Sequence, residues 1–184
     1  AYGFIVLRVG GSVILFWLIS FFGPKEKIAK ADFPRIIAAA FFGVAFNMLT
    51  FFKGLSYTSP IMGAVLMVTT PMIVLVLSAI MMKERMENRK ILGIFLGLAG
   101  TVALILYGKS LVNATNATLG NILVFVNAIS YGFYLIIVKK LMDKYNAFTF
   151  VKWIYTFGFL MVLPFGWNEF QAVNFATLPI DIVY

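Results

Sequence analysis

Residues 51–85, FFKGLSYTSPIMGAVLMVTTPMIVLVLSAIMMKER, decide the fold of this chain. No charged residue occurs in the 22 positions from Ile61 to Met82. At about 1.5 Å per residue, a helix of that length reaches about 33 Å, which is enough to cross a hydrocarbon core of about 30 Å. Because Thr69-Thr70-Pro71 interrupts the run and a basic cluster ends it, we predict a kinked transmembrane helix.

The composition of the whole chain indicates the same class of protein. Of its 184 residues, 62% are hydrophobic and 12% are charged, whereas a soluble domain carries about 25% charged residues. The net charge is +8, but the basic residues form short clusters between apolar runs, which is typical of membrane-protein loops. We therefore expect a lipid bilayer around the chain and no nucleic-acid partner.

The residue types that catalytic and metal sites commonly use are scarce. The sequence has no Cys and no His, which excludes disulfides, thiolate nucleophiles and the commonest metal ligands within these residues. All seven acidic residues fall outside the predicted spans, so no carboxylate is available there as a proton carrier. We predict no enzymatic activity, no catalytic residue, no metal and no cofactor.

Apolar runs alternate with charged or glycine- and proline-containing links, which predicts an all-α, polytopic transmembrane helix bundle. The predicted spans cover residues 2–22, 34–53, 60–82, 91–107, 119–138 and 147–167. The chain begins at Ala1 with an apolar run already under way. We therefore expect it to be a fragment of a longer protein, with a connecting loop after the sixth span.

The basic residues are distributed unequally between the two sets of links. Loops 23–33, 83–90 and 139–146, with their immediate flanks, hold eleven of the fifteen Lys and Arg residues, and the opposite links hold Lys53 and Lys109. The positive-inside rule places the first set in the cytoplasm. The sequence thus predicts a multi-pass protein of the cell (inner) membrane whose first span enters from outside.

Three spans carry small, polar or aromatic residues on one face at helical spacing. These faces contain Gly43, Asn47, Thr50 and Gly54 in the second span, Asn127, Ser130, Tyr131 and Tyr134 in the fifth, and Lys152, Tyr155, Thr156 and Phe159 in the sixth. Because an amide facing lipid is costly, such faces indicate a shared interior. The alternative is interhelical hydrogen bonding that only holds the bundle together.

The candidates for lining a substrate cavity combine hydrogen-bonding groups, flat aromatic walls and one embedded cation. They are Arg8, Asn47, Thr70, Asn127, Tyr131, Tyr134 and Trp153. Arg8 lies six residues into the first span and would attract anions, although its side chain could instead snorkel to the membrane surface. Pro71 marks a helix kink, which either lines a cavity or is satisfied by nearby threonine hydroxyls and neighbouring helices.

The fourth span carries a face of small residues at Gly93, Gly97 and Gly100. This spacing lets helix backbones approach closely, so we interpret it as helix packing. Such a face also fits a homodimer contact.

Residues 46–106 resemble the core of an EamA-type transporter of the drug/metabolite transporter (DMT) superfamily. The matching features are Asn47, the FFKGLSYTS turn at residues 51–59, Thr70-Pro71 within a helix, the Glu84-Arg85 stop, and the G-x-x-x-G-L-x-G pattern from residue 93 to residue 100. The resemblance extends more loosely across the rest of the chain.

The resemblance implies ten helices arranged as two inverted repeats of five. Residues 1–107 would form the first EamA-like repeat without its first helix, and residues 108–184 the start of the second, so that helix one and helices eight to ten would be missing. It also implies a secondary transporter or exporter of small metabolites, amino-acid-like or drug-like, that works by alternating access. Two alternatives stay open, namely a non-transporting or channel-like bundle and a membrane-embedded enzyme.

Overall fold

The computed structural model describes residues 2–23, 26–82, 87–107 and 116–172, and in these ranges the chain forms helices and turns but no strand. The helices are α1 (Tyr2–Phe22), α2 (Phe33–Ala40), α3 (Phe46–Leu55), α4 (Pro60–Met67), α5 (Thr70–Met82), α6 (Asn88–Tyr107), α7 (Ala117–Met142) and α8 (Ala147–Ala172). The predicted all-α architecture is confirmed. Most of the link between α6 and α7 and the predicted terminal loop lie outside the described residues.

Most of these helices are long and apolar enough to cross a bilayer. Within the described chain, five helical segments meet that requirement: residues 2–22, 30–55, 60–81, 117–142 and 147–171. The remaining predicted span, α6, is a helix of 20 residues. Large apolar side chains such as Phe22 (94% exposed) lie on the outer surface, which requires apolar surroundings. The predicted transmembrane helix bundle is therefore confirmed.

The second span contains a widened turn. α2 begins at Phe33 with Pro34 in its first turn, where the missing N–H of proline has no intrahelical partner to lose. Residues Phe41–Ala45 then form a π-helix between α2 and α3. The Ser130 hydroxyl of α7 donates to the Phe42 carbonyl over 2.6 Å. The widened turn is thus bonded to α7, and such turns occur frequently at functional sites.

The third span is interrupted near its middle. α4 ends at Met67 and α5 begins at Thr70. Because Pro71 has no N–H, it cannot bond the carbonyl of Met67, four residues earlier. The Thr69 hydroxyl donates to the Leu66 carbonyl over 2.6 Å, so a threonine satisfies one carbonyl at the break. The interruption lies where the sequence predicts a kink.

Several helices are longer than the sequence predicts. α7 continues to Met142, so Lys139 and Lys140 occupy its last turn, where positive charge interacts favourably with the helix dipole. α8 continues through Pro164 to Ala172. α7 and α8 therefore extend beyond the predicted spans, which end at residues 138 and 167, because charges and polar residues mark where a helix leaves the bilayer and not where it stops.

α1 and α8 pack antiparallel along their length. At one end Gly3 faces the backbone of Glu169, and at the other Gly23 lies beside Phe148. The main apolar core lies between α1, α2, α7 and α8, and it contains the fully buried Phe150. The second span packs against α8 through α2 and the following turn, whereas α7 packs mainly against α3 and α5.

A buried carboxylate joins the two links at one end of the bundle. Asp32, 3% exposed, accepts hydrogen bonds from Arg35 Nη1 (2.8 Å), Lys144 Nζ (3.1 Å) and the Tyr145 hydroxyl (2.9 Å). Glu26 accepts two more bonds, from the backbone N–H of residue 146 and the hydroxyl of residue 149. These contacts hold the α1–α2 link against the α7–α8 link.

Candidate functional site

The polar faces of α3 and α7 meet at a reciprocal pair of asparagines. Asn127 Nδ2 donates to the backbone carbonyl of Asn47 over 2.8 Å, and Asn47 Nδ2 approaches the carbonyl of Asn127 at 3.4 Å. Asn127 is 1% exposed, and its Oδ1 has no hydrogen-bond partner within the described residues. A buried acceptor without a partner costs about 1–3 kcal/mol. The pair therefore offers an acceptor to any donor that reaches it.

A cavity of about 190 Å³ lies beside this pair. Its polar lining comes from three helices, with Arg8 from α1, Asn47 from α3, and Asn127 and Tyr131 from α7. Its apolar lining consists of Met48, Phe51, Phe52 and Met67. Four of the seven residues that the sequence proposes for a substrate cavity are thus brought together. No carboxylate within the described chain pairs with Arg8, so its charge is available to a ligand.

A second cavity, of about 560 Å³, lies at the break between α4 and α5. It is lined by Thr70 and Pro71, together with Val74 and Leu135. Met67 and Tyr131 line both cavities, so the two adjoin across these side chains. The buried Thr70 hydroxyl has no partner within the part of the chain that the structure describes. Each cavity is thus lined by a residue with a buried polar atom that has no partner among the described residues.

Tyr134 does not line either cavity but lies behind Tyr131. The two rings are tilted by 30° with their centroids 5.6 Å apart. The ring of Tyr134 fills the space that a side chain at Gly43 would occupy, because a Cβ there would overlap it. Gly43, on the widened turn, thus allows Tyr134 to support the Tyr131 wall.

Trp153 lies away from these two cavities, in a cluster of aromatic rings. Its ring lies 5.4 Å from Trp17, 5.7 Å from Phe33 and 6.0 Å from Phe157. The predicted polar face of α8 packs against α1, where Thr156 accepts a hydrogen bond from the indole of Trp17. The faces of α3 and α7 therefore meet each other, whereas the face of α8 meets α1.

The small residues of α6 differ in what they face. Gly97 contacts the side chain of Met72, whereas nothing in the described chain lies within 4 Å of a Cβ built on Gly93 or Gly100. A homodimer through this face stays a prediction.

The backbones of α3 and α7 lie closer together than those of α6 and its neighbours. A Cβ on Gly120 would lie 2.8 Å from the backbone carbonyl oxygen of residue 54.

The sequence does not single out the apolar residues of the cavity. Met48, Phe52 and Met67 are apolar residues within apolar helices, so no pattern distinguishes them from lipid-facing neighbours. Phe51 lies four residues after Asn47 and shares its helix face, which is the one signal that indicates a lining residue.

The arrangement suits reversible binding. It offers a cation, an amide acceptor, hydroxyl groups and an apolar wall, and no group of three or more acidic side chains in the described ranges could hold a metal ion. Such a set of groups can orient a small amphiphilic molecule through hydrogen bonds and charge.

Comparison with known proteins decides the family. The profile of the EamA-like transporter family matches residues 1–106 and 118–178. The chain belongs to the EamA-like transporter family. The resemblance that residues 46–106 indicate is therefore confirmed, and this EamA-like chain is a multi-pass membrane protein.

Curated relatives of the EamA-like chain are named as uncharacterized transporters. YetK of Bacillus subtilis (strain 168) is 27% identical over 81% of this chain and 46% of its own length. YyaM of the same strain is 23% identical over 95% of this chain and 57% of its own length. An uncharacterized transporter of Archaeoglobus fulgidus is 30% identical over 86% of this chain and 55% of its own length. The chain spans about half the length of these relatives, and no solved structure matches it.

Proposed function

We propose that this EamA-like chain supplies part of the binding site of a secondary transporter or exporter. The transported molecules would be small metabolites with a polar head and an apolar body, amino-acid-like or drug-like. The observation that carries the proposal is the cavity between α1, α3 and α7. It is lined by Arg8, which has no carboxylate partner among the described residues, and by Asn127, whose buried Oδ1 has no hydrogen-bond partner there.

The chemistry of the lining supports this substrate class. A cation inside a membrane span is costly unless an anion or a polar group accompanies it, so Arg8 favours a ligand with an anionic or strongly accepting group. Asn127 Oδ1 needs a donor, such as an N–H of the ligand. Phe51 and Phe52 supply flat apolar surface for the remainder of the molecule.

The packing of α1 against α8 supports an inverted-repeat organisation. When α1 is aligned with α8 along the chain, Ile5 corresponds to Phe150 and Val9 to Ile154, and all four side chains are fully buried. Antiparallel helices with equivalent buried faces are what a two-fold axis in the membrane plane produces. The two segments that match the family profile also favour the proposed division into residues 1–107 and 108–184.

The break in the third span supports alternating access. Leu66, Ile105 and Val124 form a small apolar cluster separate from the main core, so α4 and α6 share few buried residues with the α1–α8 pair. The break between α4 and α5 supplies a position where the third span can bend. We propose that α4 and α6 rock against the rest of the bundle and expose the cavity to each side in turn.

The distribution of basic residues supports the orientation of the proposed carrier. Loops 23–33, 83–90 and 139–146 would face the cytoplasm, with the chain in the cell (inner) membrane. The outer ends of α1 and α3 would then flank the entrance to the Arg8 cavity.

Flux into liposomes that contain the full-length protein tests the proposal. We expect saturable uptake or efflux of at least one member of a panel of amino acids and amphiphilic drugs. Asn47→Ala should lower that flux, whereas the matched control Asn88→Ala, at an exposed position at the start of α6, should not. Flux no greater than in empty vesicles would contradict transport, and a non-saturating conductance would indicate a channel.

A further inference from the structure

A lysine inside the last span contacts a hydroxyl group and an aromatic ring, and it has no acidic partner within the described chain. Lys152 lies in the second turn of α8, where its Nζ donates to the Ser20 hydroxyl over 2.7 Å and lies 4.9 Å from the centre of the Trp17 ring. No carboxylate among the described residues pairs with it. Glu26, at the same end of the bundle, is bonded to the start of α8 instead. The positive charge of Lys152 is therefore not neutralised there.

The groups around Lys152 are held in place by a chain of hydrogen bonds. The indole N–H of Trp17 donates to the Thr156 hydroxyl over 3.0 Å, and that hydroxyl donates to the carbonyl of Lys152 over 2.7 Å. The Trp17 ring is thus fixed with its face toward the ammonium group. Because Ser20 accepts its bond from Lys152, the Ser20 hydroxyl can still donate its own hydrogen to another acceptor.

Exposed aromatic side chains lie at the same end of the α1–α8 pair as this cation. Phe148 precedes Lys152 by four residues and shares its helix face, and Phe21 follows Ser20 at the end of α1. Phe148 is 45% exposed and Phe21 is 73% exposed. The Cβ of Phe148 lies 3.9 Å from a Cβ built on Gly23, so the aromatic residues of the two helices lie at the same end of the pair.

We propose that this niche, defined by Trp17, Ser20, Phe21, Phe148 and Lys152, binds the phosphate group of an anionic lipid. Lys152 would pair with the phosphate, Ser20 would donate a hydrogen bond to it, and Phe21 and Phe148 would contact the acyl chains. Basic pockets between transmembrane helices at the bilayer surface bind lipid headgroups in this way. The exposed apolar rim favours a lipid over a soluble phosphate, which shares the headgroup chemistry but has nothing to place on the aromatic rings.

Thermal unfolding of the full-length protein in neutral detergent tests this site. Phosphatidylglycerol should raise the Tm saturably, whereas phosphatidylcholine with the same acyl chains and glycerol 3-phosphate should not. Lys152→Met should weaken the apparent affinity for phosphatidylglycerol about tenfold, as expected for the loss of one charge-assisted hydrogen bond. Lys152→Arg should retain most of the affinity.

Lys53→Met is the matched control, because Lys53 lies over the ring of Tyr57 at the opposite end of the bundle. It should bind phosphatidylglycerol as the unmodified protein does. Ser20→Ala provides a second variant if Lys152→Met does not fold, and it should weaken binding severalfold. Equal affinity in Lys152→Met, or in Ser20→Ala, would overturn the site. Equal stabilisation by glycerol 3-phosphate would overturn the assignment to a lipid.

Discussion

Replacing Gly120 by alanine should force α3 and α7 apart. A Cβ at Gly120 would lie 2.8 Å from three backbone atoms, namely the Gly54 carbonyl oxygen in the last turn of α3 and the Tyr57 carbonyl carbon and Thr58 nitrogen of the link that follows it. Ordinary contact begins at 3.4 Å, so the crossing must open by the difference, 0.6 Å. Backbone atoms cannot rotate out of the way as a side chain can.

The opening should reach the asparagine pair of the cavity. Asn127 lies seven residues after Gly120, about 10 Å along α7. Its 2.8 Å bond to the Asn47 carbonyl would lengthen toward the limit for hydrogen bonding. Overpacking lowers the free energy of unfolding by about 1–3 kcal/mol, and a weakened hydrogen bond lowers it by about 1 kcal/mol. The higher helix propensity of Ala relative to Gly raises it by up to about 1 kcal/mol. The net loss is about 1–3 kcal/mol.

Thermal unfolding of the full-length protein in detergent measures this loss. Gly120→Ala should lower the Tm by about 2–10 °C. Gly100→Ala is the matched control, because nothing described lies within 4 Å of a Cβ there, and its Tm should stay the same or rise slightly. If Gly120→Ala unfolds at the same temperature as Gly100→Ala, α3 and α7 do not cross as closely as this account requires.

Three further experiments test other parts of the account. Gly43→Ala should destabilise the protein by about 1–3 kcal/mol and raise the KM for transport, because the new methyl group overlaps Tyr134 behind the cavity wall; thermal unfolding and liposome flux measure the two effects. Asp32→Asn should lower the Tm, because three donors lose the charge of their shared acceptor. In cells, Asn113→Cys should react with a membrane-impermeant maleimide from outside, whereas Lys140→Cys should react only after permeabilisation.

Each of these changes has a control or a contrary outcome. Gly93→Ala introduces the same methyl group into open space. Equal changes in stability and in KM for Gly93→Ala and Gly43→Ala would contradict the proposal that Gly43 makes room for Tyr134. Asp143→Asn neutralises an exposed acid near the same link, and an equal Tm for both acid variants would show that the buried carboxylate does not stabilise the bundle. Labelling of Asn113→Cys from the cytoplasm alone would reverse the proposed orientation.

The membrane spans could be predicted from the sequence because their signal is local. A run of apolar residues long enough to cross a bilayer has few other stable conformations, and Pro71 lacks an N–H wherever it is placed. The widened turn at Phe41–Ala45 has no comparable signal. Ser130 of α7, 88 residues away, bonds its Phe42 carbonyl, so that turn depends on tertiary packing.

The candidate site was predictable in part for the same reason. Asn47 and Asn127 must face protein or water in any fold, since a lipid-facing amide is costly, and the structure places them together. Trp153 lacks that constraint, because an aromatic ring packs equally well among other rings. Met48 and Phe52 carry no sequence signal, because only the position of α3 against α1 and α7 makes them cavity residues.

The most direct test of the central claim is whether a transported substrate occupies the cavity between α1, α3 and α7. Met48→Cys places a thiol in that cavity, and Gly93→Cys places one on α6 away from it. In a full-length protein without other cysteines, a saturating concentration of a substrate identified by flux should slow maleimide labelling of Met48→Cys, with half-maximal protection near the KM. Labelling of Gly93→Cys should not change. Equal labelling of a transport-competent Met48→Cys protein with and without substrate would contradict the account.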